Sequence, residues 1–308
     1  MEIRNPKSEI QRTSTKGNPN CPFGSRSDLV LEISDFLGTW FFGFRISLMW
    51  ISLFAFCLSG SLLFAEDAET AVRQERMAAM RQRAEALQLQ VGNRPELRRV
   101  RQEPLFRYSD AARTTTDGTL WFWERDGRPI AAACLFNDSR EGFQWNYELV
   151  AMCDDALTVD GRPGWSWKPE ARQRRWIRID DPVPAPSEAV RLLQMKSLLS
   201  QFRADEDNMG DAVQLRLLPR QVHRYRAPTD DVEDGALFLF SFGTNPEVIV
   251  QIETIANKER YWQISFARMS AARLSVFRSD DKVWDADHVR SWNMRHEYFS
   301  HYGPDRLK

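Results

Sequence analysis

Cysteine is scarce in this chain. Of 308 residues four are cysteine, and Cys21 and Cys57 lie before or inside an apolar segment, which leaves Cys134 and Cys153 for the remainder. A disulfide-stapled scaffold is thereby excluded. Also missing are a glycine-rich phosphate loop, a nucleophile elbow and a Cys/His nucleophile arrangement. Gly164-Trp165-Ser166-Trp167 lacks the second glycine that an elbow uses. Missing motifs do not exclude an enzyme, because catalytic carboxylates can be distant in sequence. No charge of either sign dominates: the net charge is −1, and beyond Ala65 there are 36 Lys+Arg against 38 Asp+Glu. That balance gives no electrostatic basis for a nucleic-acid partner. Lysine is rare too, 7 of the 42 basic residues against 35 arginines, a skew that reports genome base composition and carries no functional weight.

What the chain does have is 43% hydrophobic and 28% charged residues, the balance of a folded protein, and enough length for two domains of ordinary size. Ile46–Ala65 holds 20 residues without a charge, which as a helix just spans a bilayer core. Six basic residues precede it, from Arg4 to Arg45, and Glu66, Asp67 and Glu69 follow it, a polarity that puts the N-terminus inside and the body outside. The segment reads either as a cleaved signal peptide, with Ala65 before the cut and Leu63 a poor match three residues back, or as an uncleaved anchor through which residues 46–65 bind the membrane. The expected localisation is exported: periplasmic, extracellular or facing outward from the cytoplasmic membrane. Residues 1–45 read as a disordered extension.

Sliding the chain against itself by 117 positions aligns Pro104–Trp167 with Gln221–Trp284 without a gap. Eleven of the 64 positions are identical, among them Arg107/Arg224, Tyr108/Tyr225, Asp117-Gly118/Asp234-Gly235, Trp145/Trp262 and Trp167/Trp284. A repeat of this length sets the expected architecture. Helices are expected over Asp67–Gln90 and Ser187–Arg203, the first free of Gly and Pro, the second capped at Ser187. Strands are expected near Arg220–Arg226, Ala236–Phe242, Val248–Thr254, Tyr261–Arg268 and Arg273–Arg278. Period-two alternation in Val248, Val250 and Ile252 marks one buried face, the other being wet or covered differently. The resulting fold class is α+β: two tandem copies of a helix followed by an antiparallel β-meander of about five strands. The modules are 66–180 and 187–286, joined by the Pro-rich linker 181–186 and followed by a tail, 287–308. A hairpin between Ala131–Phe136 and Trp145–Met152, with Leu135 opposite Trp145, places Cys134 and Cys153 on opposite faces and excludes a bond between them.

Residues kept in both copies, Arg107, Tyr108, Asp117, Arg224, Tyr225 and Asp234, are the candidate binding residues. The competing reading is that the fold needs them: Asp-Gly suits turns into strands, and the tryptophans suit cores. Asp230, Asp231, Glu233 and Asp234 form an acidic loop without calcium-loop spacing. His296 and His301 are five apart, one too many for zinc ligation from one helix face. No metal or cofactor is expected. The basic run Arg172, Arg174, Arg175, Trp176 and Arg178 is either a solvated face or a contact for an anionic surface or polymer.

Arg216-Leu217-Leu218-Pro219, Arg224-Tyr225, Asp234-Gly235-Ala236-Leu237-Phe238 and Gly243-Thr244-Asn245-Pro246-Glu247-Val248 resemble a domain of unknown function found in secreted bacterial proteins, most clearly over Ser187–Ala286. The first copy departs from it, with Glu124-Arg125-Asp126-Gly127-Arg128-Pro129 in place of the Gly-Thr-Asn-Pro turn. The resemblance implies export and brings no activity or ligand. The expectation is an exported, non-catalytic protein that binds a protein or polymer partner, with a hydrolase acting in a cleft between the modules as the rival.

Overall fold

A computed structural model describes residues 69–92, 97–98, 101–111, 113–138, 144–161, 165–290 and 292–302. The extension 1–45 and the apolar segment Ile46–Ala65 lie outside the described residues. Among the described residues no helix is long and apolar enough to cross a membrane.

The described residues are mostly β, 54% strand and 15% helix, with two helices among them and large multistranded sheets that include a half-barrel. The expected fold class is therefore wrong: this is not a pair of helix-plus-five-strand meanders. Helix α1 covers 69–86 and stops short of Gln90. The next residues form the hairpin β1 (Gln88–Val91) and β2 (Leu97–Arg98). Helix α2 (Glu188–Leu199) likewise stops before Arg203 and is followed by β10 (Phe202–Asn208) and β11 (Asp211–Leu217). Phe202, Ala204 and Glu206 point inward in strict alternation. Met209 and Gly210, both at positive φ, turn the chain in two residues from Asn208 to Asp211, as tight hairpins require. Ser187 does precede α2 in extended conformation, but its side chain makes no capping hydrogen bond.

The meanders hold four strands each. In the first, β3 (Phe106–Asp110), β4 (Thr115–Arg125), β5 (Arg128–Asp138) and β6 (Gln144–Ala151) pair in order. The next strand, β7 (Leu157–Gly161), leaves to pair with β1 and with β8 (Trp165–Trp167). In the second, β12 (His223–Ala227), β13 (Val232–Phe242), β14 (Asn245–Ala256) and β15 (Arg260–Arg268) pair in order. Here β16 (Arg273–Arg278) leaves to pair with β10 and β17 (Asp281–Ala286). The outer edges are filled from elsewhere. β9 (Ile177–Ile179) pairs with β15, while β18 (Tyr298–Tyr302), in the stretch expected to be a tail, pairs with β6. The first meander is thus completed by residues from the far end of the chain, and Asp67–Lys308 forms one compact unit.

The pairing registers nevertheless coincide at a spacing of 117. Tyr108 faces Gly118 as Tyr225 faces Gly235, and Asp117 faces Asn137 as Asp234 faces Thr254. The β5–β6 register sets Leu135 opposite Tyr147 and Asn137 opposite Trp145, two residues from the expected alignment. Cys134 lies in the core between the two meanders and Cys153 beside the outer core of the first, both as free thiols.

Three apolar cores stack through the molecule. The first lies between α1, β1, β7, β8 and one face of the first meander, around Trp121, Trp123 and Trp167. The second lies between the two meanders and joins Leu120, Phe122, Ala132 and Val150 to Leu237, Leu239 and Ile249. The third packs α2 and β10, β11 and β16 on the far face of the second meander, around Phe238, Phe240 and Trp262. Both meanders are therefore covered on both faces, and the face of β14 opposite Val248, Val250 and Ile252 is the shared core. Burial on both sides is why Ala236–Phe242 and Ile130–Phe136 read as nearly unbroken apolar runs.

Each Tyr/Gly pair is a packing device in that shared core. A Cβ on Gly235 would stand 2.4 Å from Tyr225 Cζ, and one on Gly118 2.5 Å from Tyr108 Cζ, so each ring lies across bare backbone where any side chain would collide. Gly235→Ala is expected to lower stability by about 1–3 kcal/mol, the usual cost of overpacking, read by urea denaturation. An unchanged midpoint would show that the ring moves aside at no cost.

Candidate functional site

The six candidate binding residues are not one constellation. Arg107 grips Asp117 with Nε and Nη2, at 2.8 and 2.5 Å, and Nη2 also donates to the Arg73 carbonyl of α1 at 2.9 Å. Arg224 repeats the arrangement on Asp234, at 2.9 and 2.6 Å, and donates to the Glu188 carbonyl of α2 at 2.6 Å. Each pair rivets a helix to its meander. In the second, Arg191 of α2, 2% exposed, adds a 2.8 Å bond to Asp234. Arg107, Tyr108 and Asp117 also line a cavity of about 460 Å³ with Arg73 and Arg76. Arg224, Tyr225 and Asp234 line neither this cavity nor the two openings beside Arg174.

The other sequence candidates are engaged locally. Asp230 pairs with Arg128, Glu233 with Arg191 and Arg260, and Asp234 as above, while Asp231 sits at positive φ ending a 3-10 turn. Among the described residues no group of three metal-ligating side chains converges. His296 Nδ1 accepts from the Tyr298 backbone, and the His301 ring packs on Trp165.

Sequence reasoning missed two polar clusters at the seam between the meanders. In one, Arg113 reaches Glu206 at 2.6 Å and Glu247 at 2.9 Å, Ser270 donates to Glu206, and Tyr298 donates to Glu148 at 2.8 Å. Burial raises the Glu148 pKa to about 7, with Tyr298 and Arg113 opposing it. Glu247, fully enclosed, is also raised by burial, and Glu206 and Glu148 nearby reinforce this against the pull of Arg113. In the other cluster Arg128 holds Glu253 at 2.9 and 2.7 Å, Tyr225 donates to Glu253 at 2.6 Å, and Gln251 donates to the Tyr225 hydroxyl at 2.7 Å. These contacts tie the turn before β4, together with β5 and β6, to β10, β14 and β18 across 93 to 150 residues of chain, so no local pattern announces them.

The arrangement with charge left over lies at the rim of this seam. Where β6 faces β15, the extended segment 168–176 borders a cavity of about 260 Å³ carrying Arg172, Arg174, Arg175 and Arg268 against Asp285 and Glu297. Arg172 pairs loosely with Glu297, at 3.5 Å. Arg174 donates through Nη1 to the Met152 carbonyl and the Gln251 side chain, and its Nη2 is shielded from water with no partner. Arg268, 2% exposed, donates to the carbonyls of Ser270, Asp287 and Ala272 and lies over the Tyr298 ring. Neither arginine has a carboxylate within ion-pair distance among the described residues, and burial lowers the pKa of both guanidinium groups. Glu253 acts on Arg174, and Glu297 and Asp287 on Arg268, only at longer range, so two dehydrated cations without a direct ion pair face the cavity and favour an anion that enters. Three of these arginines belong to the basic run seen in the sequence. Arg268 comes from 93 residues further along, and only folding places it there.

Mostly β, three cores deep, with a cationic cavity at its central seam: that is the class of protein the geometry defines. No family model, curated protein or solved structure matches the chain.

Two outcomes follow for stability. Asp234→Ala leaves the buried Arg191 with only Glu233, at 3.2 Å, and two carbonyls, and is expected to cost about 3 kcal/mol, more than Asp117→Ala, whose arginine is part-exposed. Equal losses measured by urea denaturation would count against the rivet. Glu148 binds its proton more tightly folded than unfolded, so its stabilising contribution is complete below about pH 4.5 and is lost as pH rises through about 7. Glu148→Gln, which keeps an acceptor for Tyr298, is therefore expected to gain on the native protein between pH 5 and 8, by up to about 3 kcal/mol. A difference that stays constant across this range would refute that assignment.

Proposed function

We propose that the chain is an exported, non-catalytic binding protein whose arginine cavity at the seam takes an anionic group of a protein or polymer partner. The observation that carries this reading is the pair Arg174 and Arg268, enclosed cations without carboxylate partners facing one cavity. Export rests on the apolar segment Ile46–Ala65 and its flanking charges. The register match at 117 residues supports an internal duplication, and Arg268 is particular to the second copy, its counterpart in the first being Ala151. The hydrolase reading has Glu148, Glu206 and Glu247 in its favour as converging carboxylates. They are enclosed between the meanders and line neither the Arg107 cavity nor the two openings beside Arg174, which leaves a substrate no approach through any of these.

The full chain in mild detergent, titrated with inorganic sulfate at low ionic strength, is expected to bind saturably. Arg174→Ala should weaken binding about 10- to 100-fold, as removal of a charge-assisted hydrogen bond does, with its circular dichroism unchanged. Absence of saturable binding, or equal binding by the variant, overturns the proposal.

A further inference from the structure

We infer that the anion is carried by a sugar, and that the seam takes an acidic polysaccharide in which a charged residue alternates with an uncharged one. This rests on the anion-binding reading above. The cavity of Arg174 and Arg268 has a second wall made of Phe266 and Trp284, whose ring centroids are 6.0 Å apart at 44°. Trp284, on the edge strand β17, is partly buried against the third core. A bare phosphate or sulfate uses the cationic wall and leaves the accessible part of the indole without a contact. A pyranose ring bearing a carboxylate or sulfate satisfies both, because its C–H face packs on the indole while its anion meets the guanidinium.

The neighbouring opening sets the spacing. A cavity of about 190 Å³ shares Arg174 with the first, but its other charges are paired: Arg125 with Asp155, Arg128 with Asp230 and Glu253, while Asp154 accepts from the Arg174 backbone. Carboxylates repel a second anion and accept hydrogen bonds from hydroxyl groups. The two openings thus offer one cationic, aromatic position beside one charge-paired, hydroxyl-accepting position. A single strand of nucleic acid presents a phosphate at every residue and needs a continuous basic track, which Asp154 and Asp155 interrupt.

The test uses the full chain in mild detergent, with tryptophan fluorescence and calorimetry at low ionic strength. The probes are inorganic sulfate, a hexasaccharide alternating glucuronate with a neutral sugar, a neutral hexasaccharide, and oligothymidylate. The alternating hexasaccharide is expected to bind at least about tenfold tighter than sulfate. Trp284→Ala should remove that advantage and leave sulfate affinity within about twofold, Trp284→Phe should keep much of it, and Arg174→Ala should weaken both ligands. If sulfate binds and the hexasaccharide is no tighter, if oligothymidylate or the neutral sugar binds better, or if Trp284→Ala changes nothing, the saccharide inference falls and the anion site stands. If nothing binds, sulfate included, both fall.

Discussion

The structure depends on burying two four-stranded meanders against each other. Once Leu120, Phe122 and Val150 meet Leu237, Leu239 and Ile249, neither sheet has a face left for water, because the opposite faces already pack under helices and small sheets. Strands of that kind must be apolar on both sides. Every polar group caught between them must find a partner or remain as a cost to stability. The Arg113 and Arg128 clusters meet this requirement with ion pairs that cross the seam, Arg113 to Glu247 and Arg128 to Glu253. Their value lies less in net stability than in alignment, since breaking such a pair is costly while forming it gains little.

From this constraint follows the contrast between the two sorts of arginine. Arg107, Arg191 and Arg224 are saturated by aspartates and helix carbonyls and hold α1 and α2 in place. Arg174, part-buried, and Arg268, buried, are hydrogen-bonded only to neutral acceptors, so their charge acts on the cavity they border. The carboxylates of this cavity, Asp285 and Glu297, stand beyond ion-pair distance of both, which keeps a binding potential at one point on the surface.

Strand content is readable from the sequence. Arg273–Arg278 is legible to the residue, and the other four strands expected in the second half overlap β12, β13, β14 and β15. The hairpins β1–β2 and β10–β11 are not legible, because a helix-rich stretch runs into them without a proline and the Met209-Gly210 turn carries one glycine only. The candidate site is half visible. Arg172, Arg174 and Arg175 stand out as a run, whereas Arg268, Phe266 and Trp284 look like ordinary strand residues until β15 and β17 bring them alongside.

Composition and spacing by themselves determined that the chain folds, that its second half is largely strand, and that Arg-Tyr and Asp-Gly recur at a distance of 117, because these are local properties of propensity and pattern. Tertiary structure alone decided which strands share a sheet, that the segment around Tyr298 completes the first meander, and which arginines lack a carboxylate at ion-pair distance. Pairing between distant strands is set by burial of whole faces, and no single stretch of sequence records the surface it will meet.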